Sequence, residues 1–231
     1  MKAILLAGGL GTRLRPLTQR IPKCLVPIRG VPLLQIWINS LNKAGLGPFL
    51  INTHYLNEKV EDFIRLENIQ DVTLVNEINL LGTAGTLINN INFFEKKDGL
   101  LLHADNYCLA DFKDFLIAHK ERPKNCLLTM MTFRTENPSL CGIVEIDEHN
   151  VVKAFHEKKE TAPGDLANGA IYVLSPELLE IIREDYKDAV DFSNEIIPNF
   201  LGRILSYEVS ETFIDIGTPE AYEKANLIEV S

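Results

Sequence analysis

The sequence of 231 residues lacks the features that mark membrane, secreted and disordered proteins. No apolar run approaches the roughly 18 residues that a membrane-spanning helix needs. The apolar run at residues 3–7 is too short for a signal-peptide core, and it leads into glycines rather than a cleavage site. With 46% hydrophobic and 24% charged residues, the composition excludes disorder and collagen-like structure. We expect a cytoplasmic globular protein with no membrane partner.

Cysteine and histidine motifs for metal binding are also missing. No CxxC pair occurs, which argues against a zinc knuckle and a thioredoxin-like redox pair. The five histidines form no HExxH motif and have no His–Cys spacing typical of a metal site. We therefore predict reduced, buried or half-buried thiols at the four cysteines, which are Cys24, Cys108, Cys126 and Cys141.

Acidic residues are absent from residues 1–57, although the whole chain carries a net charge of −9. This opening segment has seven Lys and Arg side chains, whereas the remaining 174 residues carry a net charge of −16. The overall negative charge argues against a nucleic-acid partner. The acid-free segment indicates a local site for a multiply charged anion.

The first half of the chain alternates strand-like and helix-like patterns. Continuous apolar runs predict strands at residues 2–7, 49–51, 72–75 and 99–103. Helical spacing predicts a helix at about 32–44, a second helix with Asn57 as its N-cap, and a third that begins within residues 81–85. Such alternation predicts a doubly wound, mostly parallel sheet, with ligands bound beyond the carboxyl ends of the strands.

The second half has a different pattern. Residues 142–147 and 151–155 flank a turn and predict a hairpin, and residues 169–174 predict another strand. Ser175 and Thr218 each precede a proline and a glutamate, which is typical of a helix N-cap. We predict a single α/β domain over residues 1–231 with an inserted β-rich lobe that binds substrate.

The densest chemical signal is the segment LAGGLGTRLRPLT at residues 6–18, followed by the sequence IPK at residues 21–23. Glycine N–H groups can approach an anion closely, while Arg13 and Lys23 can neutralise it. Leu14 stands where a dinucleotide-binding fingerprint has its third glycine, and no GxxxxGK[ST] sequence of a P-loop occurs.

These residues closely resemble the signature of the sugar-1-phosphate nucleotidyltransferases, or nucleotide-sugar pyrophosphorylases. The resemblance continues over the whole chain, at Leu81–Gly85, Asp105, Gly142, Glu157-Lys158, Asn168-Gly169 and Asp215–Pro219. It implies a Rossmann-like α/β fold whose residues 1–133 mainly bind nucleotide and whose residues 134–231 mainly bind sugar phosphate. The chain ends 16 residues after Asp215, so no C-terminal β-helix is expected.

The resemblance assigns nucleotide contacts to the glycine-rich segment, the LGTAG segment and three further side chains. Arg13 and Lys23 would hold the phosphates and take part in catalysis, and Glu77 would help to read the base. The complete implied nucleotide set is Leu6, Ala7, Gly8, Gly9, Gly11, Thr12, Arg13, Lys23, Glu77, Gly82, Thr83 and Asp105.

The resemblance also implies a Mg²⁺ cofactor and a sugar-phosphate site. Asp105 and Asp215 match the two carboxylates that hold the metal, and Lys158 matches a third catalytic cation on the sugar phosphate. The implied sugar-phosphate set is Asn106, Gly142, Glu157, Lys158, Asn168 and Asp215. Lys159 stands where the family has the proline of its Glu-Lys-Pro motif, and Ala104 where it has a glycine.

The implied reaction transfers a nucleotidyl group from an NTP to a sugar 1-phosphate, releasing pyrophosphate and supplying nucleotide sugar for polysaccharide synthesis. The LGTAG form resembles guanylyltransferases, which favours GTP with mannose 1-phosphate or a manno-heptose 1-phosphate. Uridylyl- and cytidylyltransferases on another phosphorylated acceptor stay open, as does a homodimer.

Proteins of three other classes are weaker alternatives. A metal-dependent glycosyltransferase is expected to have Asp-x-Asp where this chain reads Asp105-Asn106-Tyr107. A non-catalytic regulatory homologue would tend to lose the charged residues that are all present here. An NAD-dependent oxidoreductase would need the missing third glycine and an acidic residue after the second strand.

Overall fold

The computed structural model describes residues 1–228, which form strands and helices connected by short helical turns. The strands are β1 (Ala3–Leu6), β2 (Pro27–Ile28), β3 (Val31–Pro32), β4 (Phe49–Thr53), β5 (Val72–Asn76), β6 (Gly99–His103), β7 (Asn106–Cys108), β8 (Leu128–Arg134), β9 (Gly142–Ile146), β10 (Val152–Glu157), β11 (Leu166–Leu174), β12 (Ile204–Glu208) and β13 (Phe213–Asp215). The α-helices are α1 (Leu33–Lys43), α2 (Asn57–Leu66), α3 (Gly82–Asn89), α4 (Phe112–Glu121), α5 (Pro176–Asp185) and α6 (Pro219–Leu227).

The chain divides into two compact units. The N-terminal unit contains the described residues of 2–80, 103–110 and 211–228, and the central unit contains residues 1, 81–102 and 111–210. No helix of residues 1–228 combines the length and the apolar character needed to cross a bilayer.

The N-terminal unit is built on three parallel strands. β4 lies between β1 and β5, with Ala3 opposite Phe49 and Phe49 opposite Val72. Helix α1 precedes β4 and α2 follows it, so the strands are joined by βαβ crossovers. Trp37 and Leu41 belong to the buried face of α1, and full burial of such side chains contributes roughly 1.5–3 kcal/mol each.

A small antiparallel ladder in the same unit brings together segments that are distant in sequence. β7 pairs with β13, and this register sets Asn106 opposite Asp215. Asp105 immediately precedes β7, so the pairing places the two acidic residues close together. Helix α6 follows, and the Thr218 side chain accepts a hydrogen bond from the backbone N–H of Ala221 at its start.

The central unit contains mainly antiparallel strands. β11 pairs with β6, β8 and β9. β10 pairs with β9, and these two strands form the hairpin. β12 adds a parallel edge to β8. The side chain of Ser175 accepts a hydrogen bond from the backbone N–H of Leu178 and caps α5.

Several predictions from the sequence are confirmed by these elements. They include the α/β fold with parallel strands, the β-rich part of the chain, the β9–β10 hairpin and the caps at Ser175 and Thr218. The four cysteines are free thiols, as predicted. The single domain stays a prediction, as does its division into a nucleotide-binding part at residues 1–133 and a sugar-phosphate-binding part at residues 134–231.

The starts of α2 and β11 were predicted wrongly. Asn57 is not an N-cap but the first residue of α2, because Leu56 before it adopts the left-handed backbone conformation. Strand β11 begins at Leu166 rather than at residue 169, since Leu166 to Asn168 pair with β8.

Candidate active site

The glycine-rich turn after β1 is held by contacts within the N-terminal unit. Gly11 has φ = 59°, and a Cβ there would lie 2.9 Å from Thr18 Cγ2, so a side chain would be both strained and crowded. The Thr18 hydroxyl donates to the Gly11 carbonyl over 2.7 Å. Gly9 is exposed, and a Cβ there would meet no atom within 4 Å, which leaves room for a ligand beside it. Thr12 begins the short helical turn that carries Arg13.

Lys23 connects the two acidic residues that the resemblance assigns to a metal. Its Nζ lies 2.9 Å from Asp105 Oδ2 and 3.4 Å from Asp215 Oδ1. The Lys23 side chain is 7% exposed, whereas those of Asp105 and Asp215 are 36% and 47% exposed. A buried ammonium is therefore neutralised by two carboxylates that solvent can still reach.

Arg13 completes this charged cluster. Its Nη2 lies 3.8 Å from Asp215 Oδ2, and most of its side chain is exposed. A Cβ on Gly217 would lie 2.6 Å from Arg13 Nη2, so only glycine leaves the guanidinium in this position. We call Arg13, Lys23, Asp105 and Asp215 the charged cluster below.

The charges around Asp105 determine its protonation state. Burial raises its pKa, but Lys23 and His103 favour the carboxylate, and the result is a pKa below the ordinary 3.8. Asp105 is therefore ionised at neutral pH. A permanent carboxylate is the form that can bind either the Lys23 ammonium or a metal ion.

Within residues 1–228, no three His, Cys, Asp or Glu side chains are grouped as ligands for a metal ion. The protein itself offers the carboxylates of Asp105 and Asp215. Both are hard oxygen donors, and Mg²⁺ commonly takes one or two carboxylates together with water and phosphate oxygens. The donor set therefore fits a Mg²⁺ ion that arrives with a nucleotide, rather than one held by the protein alone.

A hydrogen-bond network joins the glycine-rich turn to Glu77. Asn52 Oδ1 accepts from the backbone N–H of Ala7 over 2.7 Å, and Asn52 Nδ2 donates to Glu77 Oε1 over 3.1 Å. The Glu77 carbonyl is 2.7 Å from His54 Nδ1. Asn52 and Glu77 are both buried, at 4% and 5% exposure. The sequence places Asn52 at a strand end but does not reveal that it contacts both segments.

The LGTAG segment lies in the central unit, where its first turn packs on residues 190–192. A Cβ on Gly82 would overlap the Val190 carbonyl oxygen. The Thr83 hydroxyl accepts from the backbone N–H of Phe192 over 2.8 Å. Helix α3 begins at Gly82, within the segment where the sequence predicts a helix start.

The β9–β10 hairpin of the central unit carries Gly142, Glu157 and Lys158. A Cβ on Gly142 would lie 2.6 Å from Phe155 Cζ and 2.7 Å from Glu157 Oε2, so this position has no room for a side chain. Lys158 Nζ lies 3.3 Å from Glu157 Oε1. The backbone N–H of Lys158 donates to the Cys141 carbonyl over 3.1 Å, which fixes the lysine at the end of the hairpin.

Asn168 lies at an irregularity of β11 in the same unit. Its Oδ1 accepts from the backbone N–H of Ala170, and its Nδ2 donates to the Tyr172 hydroxyl over 2.7 Å. Burial raises the pKa of Tyr172, so this hydroxyl stays protonated at neutral pH.

Asn106 belongs to the N-terminal unit, where its backbone carbonyl accepts from Trp37 Nε1 over 2.9 Å.

Comparison with known proteins identifies the family of this chain. Residues 2–230 match the model of the family described as nucleotidyl transferase. The chain belongs to the nucleotidyl transferase family. Its fold is that of solved relatives, since HddC from Yersinia pseudotuberculosis complexed with GMP-PN superimposes with a TM-score of 0.81. That structure is 27% identical, with 97% of each chain covered.

Two curated relatives in this family bear names of the same kind. A Sulfolobus acidocaldarius protein, provisionally named a mannose-1-phosphate guanyltransferase, is 32% identical over 98% of this chain. The mannose-1-phosphate guanyltransferase beta-A of Xenopus laevis is 29% identical over 96% of the chain. The chain spans 62% of the length of both relatives.

The structure groups the predicted residues of this family member within each unit. Arg13, Lys23, Asp105 and Asp215 form one cluster in the N-terminal unit, and Glu77 is tied to Ala7 through Asn52. In the central unit, Gly142, Glu157 and Lys158 are in one hairpin. The ligand that each residue binds stays a prediction.

Proposed function

We propose that the protein transfers a guanylyl group from GTP to a sugar 1-phosphate, releasing pyrophosphate. The observation that supports this most is the charged cluster. In it, an arginine from the glycine-rich turn and a buried lysine lie close to two ionisable carboxylates. Each component suits a polyphosphate: cations neutralise its oxygens, and carboxylates bind the metal ion that accompanies it.

The proposed reaction is a direct displacement at phosphorus. An oxygen of the sugar phosphate attacks the α-phosphorus of GTP, a new P–O bond forms, and the bond to the β-phosphate oxygen breaks. The electron pair of that bond leaves with pyrophosphate, so no covalent enzyme intermediate is required. Catalysis then consists of positioning and charge neutralisation.

In this proposal the N-terminal unit holds the triphosphate. Arg13 is exposed enough to reach phosphate oxygens with its planar guanidinium, which can bind two of them at once. Lys23 supplies a compact positive charge from a buried position. Asp105 and Asp215 would hold Mg²⁺, which when bound neutralises phosphate charge and orients the oxygens.

The central unit would bind the acceptor through the β9–β10 hairpin. Glu157 can accept hydrogen bonds from sugar hydroxyls, and Lys158 can pair with the sugar phosphate. Asn168 has one Nδ2 hydrogen bonded to Tyr172, and its second N–H can serve a sugar hydroxyl. These donor and acceptor types suit a phosphorylated polyol, and the names of the relatives favour mannose 1-phosphate or a manno-configured heptose 1-phosphate.

The preference for guanine rests on Glu77 and on the relatives. An ionised carboxylate only accepts hydrogen bonds, and guanine presents two adjacent N–H donors, at N1 and N2. Adenine, cytosine and uracil do not present such a pair of donors. The GMP-PN complex of HddC and the guanyltransferase names of the curated relatives point to the same base.

The free thiols agree with the expected cytoplasmic location.

The experiment is pyrophosphate release with Mg²⁺, using GTP, CTP, UTP, dTTP and ATP against a panel of sugar 1-phosphates. Release with GTP and a manno-configured phosphate is the expected result. Release with CTP or UTP would keep the reaction and reject the base. No release with any pair would reject the proposed activity in favour of a non-catalytic homologue that only binds nucleotide. The control variant Asp105→Asn is expected to be inactive, and full activity in it would reject the metal assignment.

A further inference from the structure

Asn52 is a buried amide that contacts both the glycine-rich turn and the residue proposed to read the base. It lies next to the end of β4, between segments that are 45 and 25 residues away in sequence. A buried amide without hydrogen-bond partners is costly, so its contacts here determine its orientation.

The hydrogen bonds give the Asn52 amide one orientation. The backbone N–H of Ala7 is only a donor, so it requires the amide oxygen, and this oxygen is 2.7 Å away. The amide nitrogen must then face Glu77, where it donates to Oε1 over 3.1 Å. A flipped amide would set N–H against N–H at Ala7 and oxygen against oxygen at Glu77.

This orientation constrains Glu77 in turn. Because Asn52 donates, the carboxylate accepts through Oε1, while the Glu77 backbone is fixed by its own N–H to the Thr53 carbonyl over 2.8 Å. The carboxylate thus has a defined position relative to Ala7, at the start of the turn that leads to Arg13. A Cβ on Gly8 would lie 3.0 Å from Asn52 Nδ2, so the turn also packs closely against the amide.

We propose that Asn52 is a positioning residue for base selection, which holds the Glu77 carboxylate as an acceptor and links it to the phosphate-binding turn. The inference rests on the proposed function, because it takes a nucleotide as the ligand. It assigns Asn52 no contact with the substrate. The residue acts through Glu77, and a purine with adjacent N–H donors is the base that this arrangement selects.

The decisive variant is Asn52→Asp, which keeps the shape of the side chain. An introduced carboxylate can still accept from the Ala7 N–H, but it cannot donate to Glu77 and repels it instead. We expect kcat/KM for GTP to fall tenfold or more, as for a lost hydrogen bond to a charged group, with a smaller fall for ATP. The ratio of kcat/KM for GTP to that for ATP is the main readout, since a merely structural defect would lower both equally.

A second variant tests the direction of the hydrogen bond. In the double variant Asn52→Asp with Glu77→Gln, the glutamine amide can donate to the introduced carboxylate, and the hydrogen bond is restored with its polarity reversed. We expect the double variant to recover at least part of the thermal stability that Asn52→Asp alone loses. The matched control is Asn90→Asp, which removes the Asn90 donor to the Thr86 carbonyl and is expected to leave the GTP-to-ATP ratio unchanged.

The outcomes separate this inference from the proposed function. If wild type uses GTP and Asn52→Asp lowers the GTP-to-ATP ratio, the inference stands. If wild type uses GTP and the variant lowers all nucleotides equally, or if the double variant recovers no stability, the inference is overturned and the proposed function is kept. If wild type prefers another base, the guanine assignment fails, and Asn52 is supported only if its variant lowers the preference for that base. If wild type binds no nucleotide, both are overturned.

Discussion

The position of Lys23 between two carboxylates predicts that removing this lysine strengthens metal binding. Its ammonium contacts both Asp105 and Asp215 and occupies the space beside the carboxylates that a divalent cation would need. Lysine and metal ion should therefore compete. We expect the variant Lys23→Met, which keeps most of the unbranched side chain but removes the charged end, to bind Mn²⁺ more tightly than wild type while it loses turnover.

The size of the effect follows from Coulomb's law. A single and a double positive charge about 4 Å apart repel by about 2 kcal/mol even in bulk water, and by more beside a protein surface. Removing the lysine should therefore tighten Mn²⁺ binding by about thirtyfold, since every 1.4 kcal/mol corresponds to a factor of ten. Because Asp105 and Asp215 are partly exposed to solvent, we take the value in water as the minimum repulsion.

The measurement is Mn²⁺ titration of the nucleotide-free protein, followed by electron paramagnetic resonance of the free ion. Lys43→Met, at the exposed end of α1, is the control for loss of one positive charge and should bind Mn²⁺ as wild type does. Added Mn²⁺ should also raise the melting temperature of Lys23→Met more than that of wild type, because a ligand that binds more tightly stabilises the folded state more at the same concentration. Equal or weaker Mn²⁺ binding in Lys23→Met would show that the ammonium does not compete.

Three further predictions concern other parts of the molecule. Arg13→Ala should lower kcat by about 10²–10³, as for loss of a transition-state donor, and steady-state turnover near that of wild type would contradict its role. Gly142→Ala should destabilise the protein by about 1–3 kcal/mol in urea unfolding and raise KM for the sugar phosphate, because its Cβ would overlap Glu157. Burial lowers the pKa of His119 below its ordinary 6.5, so the folded protein resists protonation that the unfolded chain accepts. The free energy of unfolding should therefore fall from pH 7 to pH 5, and less so in His119→Gln. Asp98, whose lowered pKa matters only below its ordinary 3.8, should not contribute in that range.

The sequence predicts those parts of the site that depend on local patterns. Asp105 ends an apolar stretch and is expected at the carboxyl edge of a sheet, and the glycine-rich segment follows the first strand as its composition indicates. Asp215 could be paired with Asp105 only through the family resemblance. Their proximity depends on the β7–β13 register, and no local pattern encodes pairing between segments so far apart in sequence.

The role of Asn52 could not be predicted for a related reason. Polar residues at strand ends are common, and most of them only satisfy nearby backbone groups. The contacts of Asn52 with Ala7 and Glu77 require three parallel strands in register, which periodicity does not specify. The wrong N-cap at Asn57 has a local cause, since the left-handed Leu56 shifts the helix start by one residue.

The glycines of the glycine-rich turn differ in how closely the rest of the N-terminal unit packs against them. The sequence alone suggests that all of them are small in order to admit phosphate. However, the space beside Gly8 is filled by Asn52, and that beside Gly11 by Thr18, so only Gly9 of these three is surrounded by open space. An alanine at Gly9 should therefore reduce nucleotide affinity without loss of stability, whereas alanine at Gly11 should reduce both. Urea unfolding and GTP titration of the two variants would test this distinction, and equal loss of stability in both would contradict it.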